Sequence, residues 1–132
     1  MSNNTHRRVT RRESALQHLT VMQIHARDDI EQIHPVGEID LCTAPALRDA
    51  LTDTERRQVP NVLVDLSEVH FLALVGVQVL RAAGERCAAE QRRLVLAAPT
   101  QPVQRVLSLT EATNDLEVHL TLASALSALS HV

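Results

Sequence analysis

The sequence has almost no aromatic side chains: Phe71 is the single one among 132 residues, and tryptophan and tyrosine are missing. Proteins that bind single-stranded nucleic acid generally stack bases on aromatic rings, so the composition argues against that class. Lysine is also missing, and all 13 residues of the Lys/Arg class are arginine. The net charge is −3. Because duplex DNA binders need a basic face, no nucleic-acid partner is expected.

Cysteine is scarce, and Cys42 and Cys87 lie too far apart for a metal-ligand or redox motif. The seven histidines are scattered along the chain without a compact ligand spacing. We therefore expect reduced thiols, no metal and no cofactor.

Long hydrophobic runs are missing as well. The longest apolar stretch, Phe71–Val77, is far shorter than a membrane span, so no membrane insertion is expected. Met1–Asn4 leads into arginines and not into an apolar run, which argues against a signal peptide and for a cytoplasmic protein.

The charge is unevenly distributed. Residues 1–19 hold four arginines against one glutamate, so the remaining chain is more acidic than the net charge indicates. We predict a basic, flexible tail over residues 1–18 and one folded domain over residues 19–132. Contact of the tail with an acidic partner or with membrane phospholipid is the alternative to a solvated tail.

The first half of the domain shows a hairpin followed by a helix. Leu19–His25 and Ile30–Val36 are β-rich segments, and Pro35 is expected to loosen the second strand near its end. Gly37–Asp40 is predicted to be a loop. Thr43 suits a helix N-cap, with Leu47, Ala50 and Leu51 at the spacing of a buried helical stripe.

The second half alternates strands and helices. The predicted strands are Asn61–Leu66, which is apolar enough to be central in a sheet, Leu94–Ala98 and Leu116–Leu120. The predicted helices are Val75–Arg92, Pro102–Leu109 and Thr121–Ser130, and a turn is predicted at Ser67–Val69. The pattern indicates an α/β fold with a mixed, mainly parallel sheet of about four or five strands and about four helices packed against it.

Three segments together resemble the STAS domain, the family of bacterial anti-sigma factor antagonists and sulfate-transporter tails. They are GEIDLCTAPALRDAL at Gly37–Leu51, VLVDLSEVHFLALVGVQVL at Val62–Leu80 and LVLAAPTQPVQRVLSLT at Leu94–Thr110. Their order and spacing fit the family from about Leu19 to Leu129. The resemblance implies the SpoIIAA-like fold.

The resemblance ends at the family's regulatory loop, which typically has the sequence Asp-Ser-Ser-Gly and is phosphorylated on its first serine. The matching residues are Ala73, Leu74, Val75 and Gly76. Leu74 has no hydroxyl group to accept phosphate, so the usual phosphoacceptor is absent. Leu74 and Val75 are predicted to form an apolar contact for a partner if exposed; inward packing of one of them is the alternative.

The other candidate residues lie in the first loop. The predicted partner-binding residues are Asp40, Cys42, Thr43, Ala73, Leu74, Val75 and Gly76. Asp40 matches an acidic family residue implicated in partner contact, and the alternative is that it bonds backbone amides. Thr43 and Ser67 are possible substitute phosphoacceptors, although capping and turn formation explain both. An intermolecular disulfide through Cys42 stays open, whereas an internal bond to Cys87 is not expected.

The resemblance implies a regulator and not an enzyme. Asp65 follows a buried strand, but no catalytic constellation is visible around it in the sequence. The expected partner is an anti-sigma factor of the serine-kinase type, with an ATP-binding fold, whose capture releases a sigma factor. The alternatives are a scaffold that pairs with other STAS proteins and a module that binds a small ligand.

Overall fold

The computed structural model describes residues 9–13, 18–27 and 29–130. These residues form seven strands, four helices and one 3₁₀ turn. The strands are β1 Val9–Glu13, β2 Leu19–Arg27, β3 Ile30–Ile39, β4 Asn61–Asp65, β5 Glu68–Leu72, β6 Arg93–Ala97 and β7 Glu117–His119. The helices are α1 Ala44–Arg56, α2 Leu74–Ala89, α3 Gln101–Leu109 and α4 Leu122–Ser130, and the 3₁₀ turn is Ala112–Asn114.

The seven strands form one mixed sheet in the order β1-β2-β3-β4-β6-β7, with β5 paired to β3. The β1–β2 and β2–β3 pairs are antiparallel, and the four other pairs are parallel. Ile30–Ile33 of β3 pair with β4, whereas Val36–Ile39 pair with β5. Strands β4 and β5 therefore follow one another along the same edge of β3, and β3 contacts three strands.

Apolar side chains cover both faces of the sheet. The larger cluster joins β2, β3 and β4 to α1, α2 and α3, with fully buried Val21, Ile33, Val64, Leu80 and Leu107 among its members. The smaller cluster joins Leu63 and Val95 to Ala125 and Leu129 of α4. Two hydrophobic layers thus sandwich the central strands, which explains why β4 and β6 are apolar along almost their whole length.

The fold class predicted from the sequence is confirmed, as are the opening hairpin, the central strand and the four helices. The predicted number of strands is too low, because β1 and β5 were not recognised. The predicted loop at Gly37–Asp40 is wrong for Gly37–Ile39, which continue β3 and pair with β5. Pro35, expected to loosen the strand near its end, stays in register opposite Val21, and the pairing of β3 with β5 is irregular only between Gly37 and Glu38.

Strand β1 lies inside the segment predicted to be a flexible tail. Its five residues pair in register with Thr20–Ile24 of β2, so the prediction does not hold for Val9–Glu13. Residues 1–8 and 14–17, the rest of that predicted tail apart from His18, lie outside the described residues.

Candidate functional site

The candidate site lies where β3 and β5 end side by side. Ile39 and Leu72 are partners in the register of these parallel strands, so the loops that follow them leave the sheet at the same edge. The backbone N–H of Ala73 donates a hydrogen bond of 2.8 Å to the Ile39 carbonyl. This bond ties the segment before α2 to the segment before α1. The loop residues predicted from the sequence are therefore brought together at one end of the sheet.

Asp40 and Thr43 close the first of these two loops. One carboxylate oxygen of Asp40 accepts the backbone N–H groups of Cys42 at 2.9 Å and Thr43 at 3.0 Å. The Thr43 hydroxyl accepts the backbone N–H of Asp40 at 2.8 Å and donates to the Glu38 carbonyl at 2.7 Å. The bond from the Thr43 amide is the main reason why the pKa of Asp40 is below its usual value.

These bonds show the structural roles of Asp40 and Thr43. Asp40 bonds backbone amides, so its structural role is observed, while contact with a partner stays a prediction. Thr43 is the N-cap residue of α1, as predicted, but its hydroxyl bonds back to Glu38 and not forward to the helix. Thr43 is fully buried, so its hydroxyl is not accessible to a kinase in this conformation. Ser67 is exposed, and its role as an alternative phosphoacceptor is untested.

Helix α2 begins without a polar cap. Ala73 occupies the N-cap in an extended conformation, and its side chain has no atom that accepts a hydrogen bond from the helix amides. Gly76 lies in the first helical turn and is buried against β3 and β5. A Cβ atom there would lie 2.5 Å from Leu72 Cδ1 and 2.7 Å from Ile39 Cγ2. Gly76 therefore permits close packing of the helix against the strands.

Two large apolar side chains project into solvent at this edge of the sheet, Leu41 from the loop before α1 and Leu74 from the first turn of α2. Leu74 is 59% exposed and Leu41 is 76% exposed. Val75 is half-buried and packs against the main core. Of the two residues predicted to form an apolar contact, Leu74 therefore lies at the surface and Val75 packs inward. The sequence analysis does not single out Leu41, although a leucine between the predicted loop and the predicted N-cap was the available signal. We call Leu41, Cys42, Ala73 and Leu74 the loop surface.

The two cysteines differ in environment. Cys42 is exposed beside Leu41, Cys87 is buried in α2, and neither forms a disulfide. Burial raises the pKa of the Cys87 thiol, which disfavours the reactive thiolate. Within the described ranges, no group of three or more His, Cys, Asp or Glu side chains could hold a metal ion. No helix in this part of the chain is long and apolar enough to cross a membrane.

Asp65 has a histidine beside it that the sequence did not indicate. His34 Nδ1 lies 3.1 Å from a carboxylate oxygen of Asp65, and His34 Nε2 lies 2.7 Å from a carboxylate oxygen of Glu68. Asp65 also accepts the backbone N–H of Ser67. His34 thus links β3 to both ends of the turn between β4 and β5. These contacts fix the start of β5, which leads to the loop surface.

Comparison with known proteins identifies the fold and its family. The STAS domain family matches residues 21–125. The anti-sigma-F factor antagonist RsfB of Mycobacterium tuberculosis is 42% identical over 50 residues, which are 38% of this chain and 41% of that protein. The alignment thus spans less than half the length of this curated relative.

Solved structures extend the similarity over most of the chain. An anti-sigma factor antagonist from Mycobacterium paratuberculosis is 30% identical, with a TM-score of 0.78 over 87% of this chain and 97% of that chain. The anti-sigma factor antagonist SpoIIAA in its unphosphorylated form has the same fold, with a TM-score of 0.73 at 15% identity over 85% of this chain and 97% of that chain. With a seven-stranded mixed sheet, four helices and a match over residues 21–125, this chain belongs to the STAS domain family.

Proposed function

We propose that this chain is an anti-sigma factor antagonist, a binding protein and not an enzyme, which acts in the cytoplasm. It binds an anti-sigma factor of the serine-kinase type through the loop surface and so releases a sigma factor. The observation that carries the proposal is the exposure of Leu41, before α1, and of Leu74, at the start of α2, beside the backbone hydrogen bond from Ala73 to Ile39. Relatives named as anti-sigma factor antagonists supply the class of partner.

The apolar character of this surface supports a contact that phosphorylation does not control. A phosphate on a loop residue adds nearly two negative charges and can repel a partner. Leu74 and Ala73 have no hydroxyl group, and Thr43 is buried. The complex would therefore persist in the presence of ATP and a kinase. Its level would be set by expression of the chain, by a further partner or by the redox state of Cys42.

The expected binding energy is large enough to measure. Moving an exposed leucine side chain into an apolar interface contributes about 1.5–3 kcal/mol. A factor of ten in affinity corresponds to about 1.4 kcal/mol. Leu41 and Leu74 together can thus account for a substantial part of a micromolar complex.

The test compares two substitutions of exposed leucines. Leu74→Asp places a charge in the loop surface and is expected to weaken binding to the anti-sigma factor at least tenfold. Leu109→Asp is the matched control: Leu109 is 77% exposed at the end of α3, and its substitution is expected to leave binding unchanged. The partner is first recovered by pull-down from the native organism. Its affinity for each variant is then measured by calorimetry, and the melting temperature of each variant is recorded.

Each result has a defined meaning. Equal affinity of the wild type and a folded Leu74→Asp variant would exclude the loop surface as the interface. Recovery of other STAS proteins in place of a kinase-fold anti-sigma factor would support the scaffold alternative and contradict the proposal. Stoichiometric phosphate on Ser67 after incubation with the recovered kinase and ATP would show that the regulatory site has moved.

A further inference from the structure

Strand β1 is attached to the sheet without burying an apolar side chain. Four of its five residues are exposed, including Val9, and Arg12 is the half-buried exception. The strand pairs with β2 through Thr20–Ile24, and no strand pairs with its outer edge among the described residues. The hydrophobic effect therefore contributes little to holding β1, and its position depends on backbone pairing and on Arg12.

Arg12 points into a polar notch between β2, β3 and α1, formed by Gln23, Glu31, Asp53 and Arg57. The notch borders a cavity of about 220 Å³. Gln23 and Glu31 are both only 4% exposed, although neighbouring positions on the same face of the sheet carry core residues such as Val21 and Ile33. Buried polar side chains at core positions are unusual and call for a specific partner.

The hydrogen bonds of Gln23 define which chemical group fits the notch. Its amide nitrogen donates to carboxylate oxygens of Glu31 and Asp53, each at 3.1 Å. Two ionised carboxylates can only accept, so the amide oxygen of Gln23 must face the sheet edge. This oxygen accepts a hydrogen bond from the Arg12 Nε–H group, with an N–O distance of 2.7 Å. The notch therefore selects an N–H donor.

Charge favours a cationic donor. The carboxylates of Glu31 and Asp53 share one guanidinium, that of Arg57. An Arg57 nitrogen lies 2.5 Å from a Glu31 oxygen and 2.7 Å from an Asp53 oxygen. Arg56 also contacts Asp53, but its side chain is 70% exposed and its charge is screened by water. The buried part of the notch thus keeps an excess negative charge that Arg12 balances.

We propose that the edge of β2 and this notch are a docking site for an extended, arginine-bearing segment of a partner protein, which β1 occupies in the free chain. An extended segment added to a sheet edge gains backbone hydrogen bonds, while a pocket for one side chain provides specificity. Because β1 covers the site without an apolar anchor, a partner segment with a better fit displaces it. The site lies at the opposite end of α1 from the loop surface and goes beyond the proposed function.

The test uses a fluorescently labelled peptide with the sequence of residues 7–14 and the full chain. Arg12→Glu in the chain places a carboxylate against Glu31 and Asp53 and releases β1. This variant is expected to bind the peptide at least tenfold more tightly than the wild type in fluorescence anisotropy. Arg11→Glu is the matched control, because Arg11 faces the other side of the sheet, and it is expected to bind like the wild type. In the peptide, alanine in place of the arginine that corresponds to Arg12 is expected to reduce the affinity of the peptide for the released variant at least tenfold.

Circular dichroism melting checks that each variant is folded. If Arg12→Glu unfolds, Thr10→Pro, which is expected to disrupt the pairing of β1 with β2, takes its place. Equal peptide affinity for the wild type and the released variant overturns the proposal. The proposal is also overturned if a peptide with alanine at the position of Arg11 and a peptide with alanine at the position of Arg12 bind equally well. The notch would then not distinguish between the two arginine side chains. A concentration-dependent dimer that the peptide fails to dissociate would assign the edge to a second copy of the chain and not to a partner.

Discussion

Gly76 and Gly84 lie two turns apart on α2 and have different neighbours. A Cβ at Gly76 would meet side chains of both Leu72 and Ile39, whereas a Cβ at Gly84 would meet only the far end of Leu116, at 2.9 Å. Gly76→Ala is therefore expected to lower the free energy of unfolding by about 1–3 kcal/mol, since the Ile39 γ-methyl lies close to its own backbone and moves less easily than the end of a leucine side chain.

Gly84→Ala is the control within the same helix. The Leu116 side chain can rotate away, and alanine is favoured over glycine in a helix by up to about 1 kcal/mol, so little change or a small gain is expected. Urea unfolding of both variants measures the difference. Equal destabilisation of the two would contradict the close packing described for Gly76.

At the scale of an element, Arg57 attaches the end of α1 to β3. Its guanidinium binds both oxygens of Glu31, whose side chain is 5% exposed, while its own side chain is 40% exposed. Arg57→Ala leaves a buried carboxylate without its cation. Removal of one partner of a fully buried pair costs 3–5 kcal/mol, and the partial exposure of Arg57 reduces the expected loss to about 2–3 kcal/mol.

The neighbouring Arg56 provides the comparison for this prediction. Arg56 contacts Asp53 from the surface with a side chain that is 70% exposed, so Arg56→Ala is expected to cost no more than about 0.5 kcal/mol. Chemical denaturation at neutral pH gives both values. A loss for Arg57→Ala as small as that expected for Arg56→Ala would mean that Arg57 does not stabilise Glu31.

The elements that the sequence predicts are those whose pattern is local. The hairpin, the central strand and the four helices each contain their own apolar period, so their existence and approximate bounds could be predicted. Strand β5 could not, because it is short and half-exposed and exists through pairing with the end of β3. Strand β1 has no apolar period either, and the side chain that attaches it, Arg12, bonds to Gln23 on another strand.

The candidate site shows the same division. The family motif located Ala73–Gly76, which are the residue before α2 and the first turn of that helix, and the exposure of Leu74 meets the condition set for an apolar contact. The burial of Thr43 and the contribution of Leu41 depend on the path of β3 beyond Pro35, which the sequence suggested was a loop. Non-local pairing of β3 with β5 determines both.

At the scale of the whole molecule, the cysteines report on folding from two positions. Cys42 is exposed and Cys87 is buried, so a thiol reagent is expected to label one cysteine of the native chain quickly. Cys87 is expected to react only when the core around α2 opens, and both cysteines should react in denaturant. Mass spectrometry against time distinguishes the two sites.

Oxidation of the chain tests the role of Cys42 in association. Oxidation is expected to give a covalent dimer on non-reducing gels if Cys42 governs function, and Cys42→Ser should abolish it. Rapid labelling of Cys87 in the native chain, or an internal Cys42–Cys87 bond, would be incompatible with the burial of α2 in the core.

Strand β3 is the only described strand that pairs with three others, β2 along its length and β4 and β5 in succession along its opposite edge. The antiparallel half of the sheet, the parallel half and the strand that carries the Leu74 loop are all attached through it. Local opening can release β1 or fray a helix end, but opening of β3 separates all three parts at once. We therefore expect the three parts of the sheet to unfold together when β3 opens, and the segment that leads to Leu74 to lose its position in the same step.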